Sequence, residues 1–324
     1  MSEPQPAASE PAAQSAAAAP APATRAYRAI FFDLDGTLLP MEVEEFMGAY
    51  MKSLGGYVSR HGGDPQAFAA AMQAGIKGMA HHDPELTNEQ AFFQAFYQQV
   101  EGGPAEWEPL FSDYYENVFP QVGNQVKPSP AAARALKALA GKGYTLVLAT
   151  MPMFPLTAVR SRLRWAGVDP DLFSRLTSFE NSRSVKPHLS YYAENLAACN
   201  VAGSDVLMVG NNTVEDLAAM GAGTDGYLVT DFLLDAIGLD LGTVKHGTLE
   251  DFADWAETLP ACQNPATAVE TGSVAPEDAQ CAYENNVSAQ TADAQRERLA
   301  AGAYEIDEHG VPATSAAAAR RREV

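Results

Sequence analysis

Cysteine is scarce in this chain: Cys199, Cys262 and Cys281 are the only three in 324 residues. The count is odd and the spacing matches no metal-binding pattern, which argues against a disulfide scaffold and for a reducing compartment. Basic residues are also few. Lys and Arg number 21 against 41 Asp and Glu, giving a formal charge of −20 with no long basic block to offset it. Such a balance excludes general binding to nucleic acid or to an anionic membrane surface. It leaves room for a phosphorylated ligand, because a local cation can dominate one site. No apolar run approaches the ~20 residues that span a bilayer. The N-terminus shows no basic stretch leading into an apolar one, so no signal peptide is expected and the cytoplasm is the expected location.

Large side chains are missing from both ends. Residues 1–25 are almost entirely Ala, Pro, Ser, Glu and Gln, and residues 261–324 lose all periodicity and finish in an Ala run followed by Arg320, Arg321 and Arg322. Segments with little to bury are expected to be mostly disordered, apart from a turn or two of helix near Gln295–Leu299.

Between these ends the chain alternates buried strands and helices. Strands are expected at Tyr27–Phe32, Tyr144–Ala149, weakly at Leu176–Phe179, at Val206–Val209 and last at Tyr227–Val229. Helices are expected near Pro130–Gly141, Leu156–Ala166, Ser190–Cys199 and Val214–Met220. The pattern predicts an α/β fold, a Rossmann-like parallel sheet with helices on both faces, from segments 26–40 and 127–260. Segment 41–126 differs. Val43, Phe46, Met47, Tyr50 and Leu54 recur at helical spacing, Asp64-Pro65 opens a second helix, Thr87-Asn88-Glu89-Gln90 forms a capping box for a third, and a fourth starts near Pro104. An all-helical domain is therefore inserted after the first strand.

The chemistry centres on Ile30-Phe31-Phe32-Asp33-Leu34-Asp35-Gly36-Thr37. A buried apolar run ends in two carboxylates at i, i+2, where open α/β sheets bind their ligands. Carboxylates this close repel unless a cation or a proton lies between them. Two more strands end in polar residues, Thr150 and Asn211, and Lys186 stands in Val185-Lys186-Pro187. Arg160 and Arg164 share a helix face by their spacing and read as solvated, with Arg162 pointing elsewhere. His81-His82-Asp83 reads as a loop, and His188 lies two residues beyond Lys186.

Asp33-Leu34-Asp35-Gly36-Thr37, Thr150, Lys186 and Gly210-Asn211-Asn212-Thr213-Val214-Glu215-Asp216, in that order, resemble the motifs of the haloacid dehalogenase superfamily, most of whose members are phosphatases. The resemblance covers Tyr27 to Leu259 and makes the helical insertion similar to a C1-type cap. It implies a hydrolase for a small phosphorylated metabolite. Asp33 would be the nucleophile that forms an aspartyl-phosphate, Asp35 the general acid and base, Thr150 a donor to phosphoryl oxygens and Lys186 their counter-charge. A Mg²⁺ ion would be held by Asp33, Asp35, Asn212 and Asp216, with registers through Asn211 and Glu215 left open. Two departures stand out: amides occupy both positions where the family carries an acid after the strand, and Met151 follows Thr150. These motivate a second reading, an impaired family member that binds without turnover; a phosphomutase is a third.

Overall fold

A computed structural model describes residues 25–268 and 272–300. The segments 1–24 and 301–324, which hold most of the expected disorder, lie outside the described residues.

Six strands form one sheet: β1 (Ala29–Phe32), β2 (Thr145–Leu148), β3 (Arg175–Leu176), β4 (Val206–Gly210), β5 (Asp225–Val229) and β6 (Lys245–Gly247). Their order is β3-β2-β1-β4-β5-β6 and every pairing is parallel. Alternate residues of β1 face opposite layers, as a pleated strand requires. Ile30 and Phe32 join Leu146, Leu148, Leu207 and Val209 under α5 (Pro130–Gly141) and α8 (Leu249–Thr258). Ala29 and Phe31 join Val147, Val206 and Met208 under α7 (Leu189–Cys199). Burial on both faces explains why the central strands read as continuous apolar runs.

The order reverses at β1. Phe32 is in register with Leu148 of β2 and Val209 of β4. The residues that follow these strands, beginning with Asp33, Ala149-Thr150 and Asn211, therefore leave the sheet along one edge. This is the switch point at which open α/β sheets gather their ligands.

The insertion between β1 and β2 is helical, with α1 (Val43–Arg60), α2 (Pro65–Ala80), α3 (Asn88–Phe96) and α4 (Pro104–Asp113). The Thr87–Gln90 capping box is formed in both directions. The insertion is tied to the core at the start of α3. Asn88 Nδ2 donates to the carbonyls of Pro152 and Ser184 at 3.0 and 3.1 Å, and the Glu89 N–H donates to Phe179 O at 2.9 Å. These partners lie in the loops after β2 and β3, so the insertion sits over the carboxyl edge of the sheet.

Three expectations need correction. The sheet does not end at β5, because Lys245-His246-Gly247 adds an edge strand; it is largely exposed and carries no apolar signal to read. The helix expected over Val214–Met220 is a turn followed by a 3₁₀ segment, Leu217–Ala222, closed by Gly223 at φ +85°. The C-terminal segment is ordered over much of its length. Ala266 O accepts from Thr145 Oγ1 at 2.7 Å, and α9 (Pro276–Asn286) and α10 (Ala289–Ala300) pack through Tyr283, Val287 and Ala292 beside Leu189 and Tyr192 of α7. A few apolar contacts against a ready-made helix suffice where the same segment has no amphipathic stripe of its own. Among the described residues no helix is long and apolar enough to cross a membrane.

Candidate active site

Asp33 is the first residue beyond β1. Its N–H donates to Val209 O at 2.9 Å, which continues the sheet ladder by one step and fixes its backbone. Lys186 Nζ donates to Asp33 Oδ1 at 2.7 Å and to Asp216 Oδ1 at 2.6 Å. The lysine is fully buried. Burial alone would pull its ammonium down, but Asp216 and Asp33 outweigh that and hold it well above its ordinary value. It is a permanent cation against the carboxylate that the sequence marks as nucleophile.

The expected pairing of Asn212 with Asp216 at a metal is not the arrangement found. Asp216 Oδ2 accepts from the backbone N–H groups of Asn211 and Asn212, both at 2.9 Å, while its other oxygen holds Lys186. A Cβ on Gly210 would meet Asp216 at 2.2 Å, so this tight loop needs glycine there. Asn212 Oδ1 accepts from the N–H groups of Val214 and Glu215 at 2.9 and 3.1 Å. Both side chains are thus spent on shaping the loop after β4.

Asn211 is the amide that turns toward Asp33. Thr37 Oγ1 lies 3.0 Å from Asn211 Oδ1 and 3.3 Å from Asp33 Oδ2. A single hydroxyl hydrogen cannot serve both acceptors, so two hard oxygens converge short of positive charge. That donor set suits a Mg²⁺ ion that keeps several waters. Among the described residues no three His, Cys, Asp or Glu side chains are grouped to hold a metal by themselves, which makes the amide and water essential to any such site. Gly36, at φ +75°, lets the chain turn beneath Asn211; a Cβ there would meet Asn211 Nδ2 at 2.3 Å.

Thr150 follows β2 at the same edge and is fully buried. Its carbonyl accepts from Tyr191 Oη at 2.8 Å and Thr177 Oγ1 at 3.1 Å, while its own hydroxyl has no partner among the described residues. Asp35 ion-pairs with Arg162 through Nη2, and its Oδ1 is likewise without a partner.

Arg162 is the functional candidate that sequence reading missed. It lies on α6 (Leu156–Trp165), and only 1% of it is exposed. The signal was present: Arg162 stands off the face that Arg160 and Arg164 share, and Ala158, Val159, Arg162 and Leu163 follow the spacing of a buried helix face. Its guanidinium carbon lies 4.8 Å from the Phe154 ring centroid and 5.3 Å from that of Phe46. Burial pulls the guanidinium down to about 10 while Asp33 opposes this, so it stays charged at neutral pH. Glu180 takes the Leu156 N–H at the start of α6 at 3.0 and 3.1 Å, which anchors the helix that carries Arg162.

A cavity of about 610 Å³ lies between the insertion and the sheet edge. Asp33, Asp35, Arg162 and Asn211 line it from the core, and Phe92, Phe93, Phe111 and Tyr115 line it from the insertion. Glu89, Glu108, Glu116 and Glu180 add carboxylates. Burial, then Glu180 and Glu108, push the Glu89 carboxyl up. Glu215 also lines the cavity, and burial pushes its carboxyl up to about 8. Among the described lining residues Arg162 is the only cation. His188 is not part of this cavity; it faces His81 with ring centroids 6.3 Å apart.

The profile of a family described as haloacid dehalogenase-like hydrolase matches residues 27–223, more than half of the chain. No curated protein matches. Among solved structures, a predicted phosphoglycolate phosphatase from Haemophilus somnus 129PT is 19% identical with a TM-score of 0.44, over 71% of this chain and 97% of that one. A 2-haloacid dehalogenase from Pseudomonas syringae pv. tomato DC3000 is 19% identical with a TM-score of 0.48, over 70% and 97%. A HAD phosphatase from Thermococcus onnurineus is 18% identical with a TM-score of 0.43, over 70% and 97%.

Proposed function

From a chain that belongs to the haloacid dehalogenase-like hydrolases, we propose a phosphatase for a small phosphomonoester, with Asp33 as nucleophile. The observation that carries this reading is the carboxylate of Asp33 at the cavity floor, held by the buried Lys186 and accompanied by Asp35 two residues on. An Asp33 oxygen bonds phosphorus as the ester P–O bond breaks, and Asp35 passes a proton to the leaving oxygen. Water then attacks the aspartyl-phosphate, giving its proton to Asp35, and inorganic phosphate and Asp33 are restored. The buried Thr150 hydroxyl, which has no partner among the described residues, would donate to a phosphoryl oxygen; removing one such donor costs on the order of 10²–10³ in rate. A divalent cation would be held by Asp33 and Asn211, and would supply positive charge to the phosphoryl oxygens when bound. Asp35 favours phosphoester cleavage over halide displacement, which needs no acid for its leaving group.

The helical insertion serves in this reading as a cap that excludes water and limits substrate size. Its aromatic and acidic lining favours a leaving group with an apolar or cationic body over one with further anions. The test is release of phosphate from p-nitrophenyl phosphate, with and without Mg²⁺, with Asp33→Asn as control. Turnover that survives Asp33→Asn overturns the assignment of the nucleophile. The amides at Asn211 and Asn212 favour a second reading, a member that binds phosphate esters without hydrolysing them. A large gain in turnover on Asn211→Asp would support it.

A further inference from the structure

Arg162 is left without a task by the reactions above. Burying a guanidinium is costly unless its donors are met. Here Nη2 serves Asp35, while Nε and Nη1 have no partner among the described residues. Phe154 and Phe46 pack against the guanidinium, which leaves these two N–H donors in its plane to find acceptors. The residue lines the cavity, and Asp33 is near enough for its charge to act on it. Donors of one planar fork, poised beside the nucleophile and the acid, match the oxygens of a tetrahedral oxyanion better than a point charge could.

We propose that Arg162 is a catalytic residue that donates to oxygens of the phosphoryl group through its unpartnered Nε–H or Nη1–H, while Nη2 keeps Asp35 beside the ester oxygen. The assignment rests on the phosphatase reading for its chemistry, but not for the oxyanion it binds. It also explains the charge pattern of the site. The amide at Asn211 brings no negative charge to the phosphoryl position, and Arg162 adds a positive one there. The phosphoryl group therefore meets two protein cations, Lys186 and Arg162, whether or not a metal is bound. Asp35 and the rings of Phe46 and Phe154 hold the fork in place before the substrate arrives, and Glu180 anchors the start of the helix that carries it.

The test is calorimetric titration of the full-length protein with inorganic phosphate in EDTA, repeated with Mg²⁺. Arg162→Gln should weaken phosphate binding at least tenfold in both conditions, and Arg162→Lys should fall between it and the wild type. Folding of each variant is checked by circular dichroism; if Arg162→Gln does not fold, the Lys variant decides, with a loss of threefold or more expected. Acetate is the second arm, since a carboxylate on the leaving group could use the same donors. Phosphate affinity unchanged in the variants, or wild-type protein that binds no phosphate, overturns the proposal. So does a loss confined to acetate. Failure of the phosphatase reading looks different: wild type would bind phosphate through Arg162 yet release none from any ester.

Discussion

Asp216 lies 2.6 Å from Lys186 and never competes with it for solvent, because both side chains are fully buried or within 1% of it. Its second oxygen collects the N–H groups of Asn211 and Asn212. One carboxylate thus sets both the charge of the lysine and the path of the loop after β4. Asp216→Ala should cost about 3–5 kcal/mol of stability, since a buried charge loses its partner. The milder Asp216→Asn should remain folded and lose turnover while keeping Mg²⁺ affinity within about threefold of wild type. Urea titration and Mg²⁺ calorimetry measure the two effects. A collapse of metal affinity in the folded Asn variant would return Asp216 to the metal site.

Asn211 and Asn212 should respond differently to the same substitution. Asn211 Oδ1 shares the Thr37 hydroxyl with Asp33, so Asn211→Asp adds a charge where a cation would sit. Mg²⁺ affinity should rise about tenfold or more. Asn212→Asp changes an oxygen already committed to Val214 and Glu215, and should leave affinity nearly unchanged. Equal gains in both variants would contradict the geometry described above.

Glu194 predicts a stability that depends on pH. It is 2% exposed, and burial pushes its carboxyl up to about 7 although the Arg183 N–H and Arg175 oppose this. Below its ordinary value of 4.5 the proton is bound in both folded and unfolded chains. Between that and about 7 the unfolded chain ionises first, so stability falls as pH rises, and it levels off above. The contribution is on the order of 3 kcal/mol. Glu194→Gln should make this slope shallower in denaturant midpoints taken from pH 4.5 to 8, the remainder belonging to Glu215, whose carboxyl burial also pushes up. An unchanged slope would assign the effect elsewhere.

Gln295 of α10 brackets the loop that carries Lys186. Its Oε1 accepts from the Leu189 N–H at 3.1 Å and its Nε2 donates to Pro187 O at 2.7 Å. Gln295→Ala should cost about 1–2 kcal/mol and speed amide hydrogen exchange in residues 185–190 more than in the strands of the sheet. Exchange that rises everywhere alike would make α10 a general brace rather than a support for the lysine loop.

Much of this was legible locally. The apolar run that ends at Asp33 is a strand because nothing else buries Ile30-Phe31-Phe32 on two faces, and the Thr87–Gln90 box caps α3 through contacts three residues apart. Asp33, Asp35, Thr150 and Lys186 are brought to one region by the parallel order of the strands, which alternation of strand and helix already implies. The exposed edge strand β6 and the docking of α9 and α10 were not legible, since each owes its form to a surface made by distant residues.

The sequence by itself determined the α/β alternation, the inserted helices and the residues able to do chemistry, because these follow from patterns within a few residues. Only the tertiary structure decided which of them meet. Two adjacent amides look alike in the chain, yet the loop after β4 spends Asn212 and Asp216 on its own backbone and turns Asn211 toward Asp33. A buried arginine looks like any other helix residue until Asp35 is found at its side. Such choices depend on where each polar group finds a partner once water is excluded, and partners far apart in sequence are fixed only by the fold.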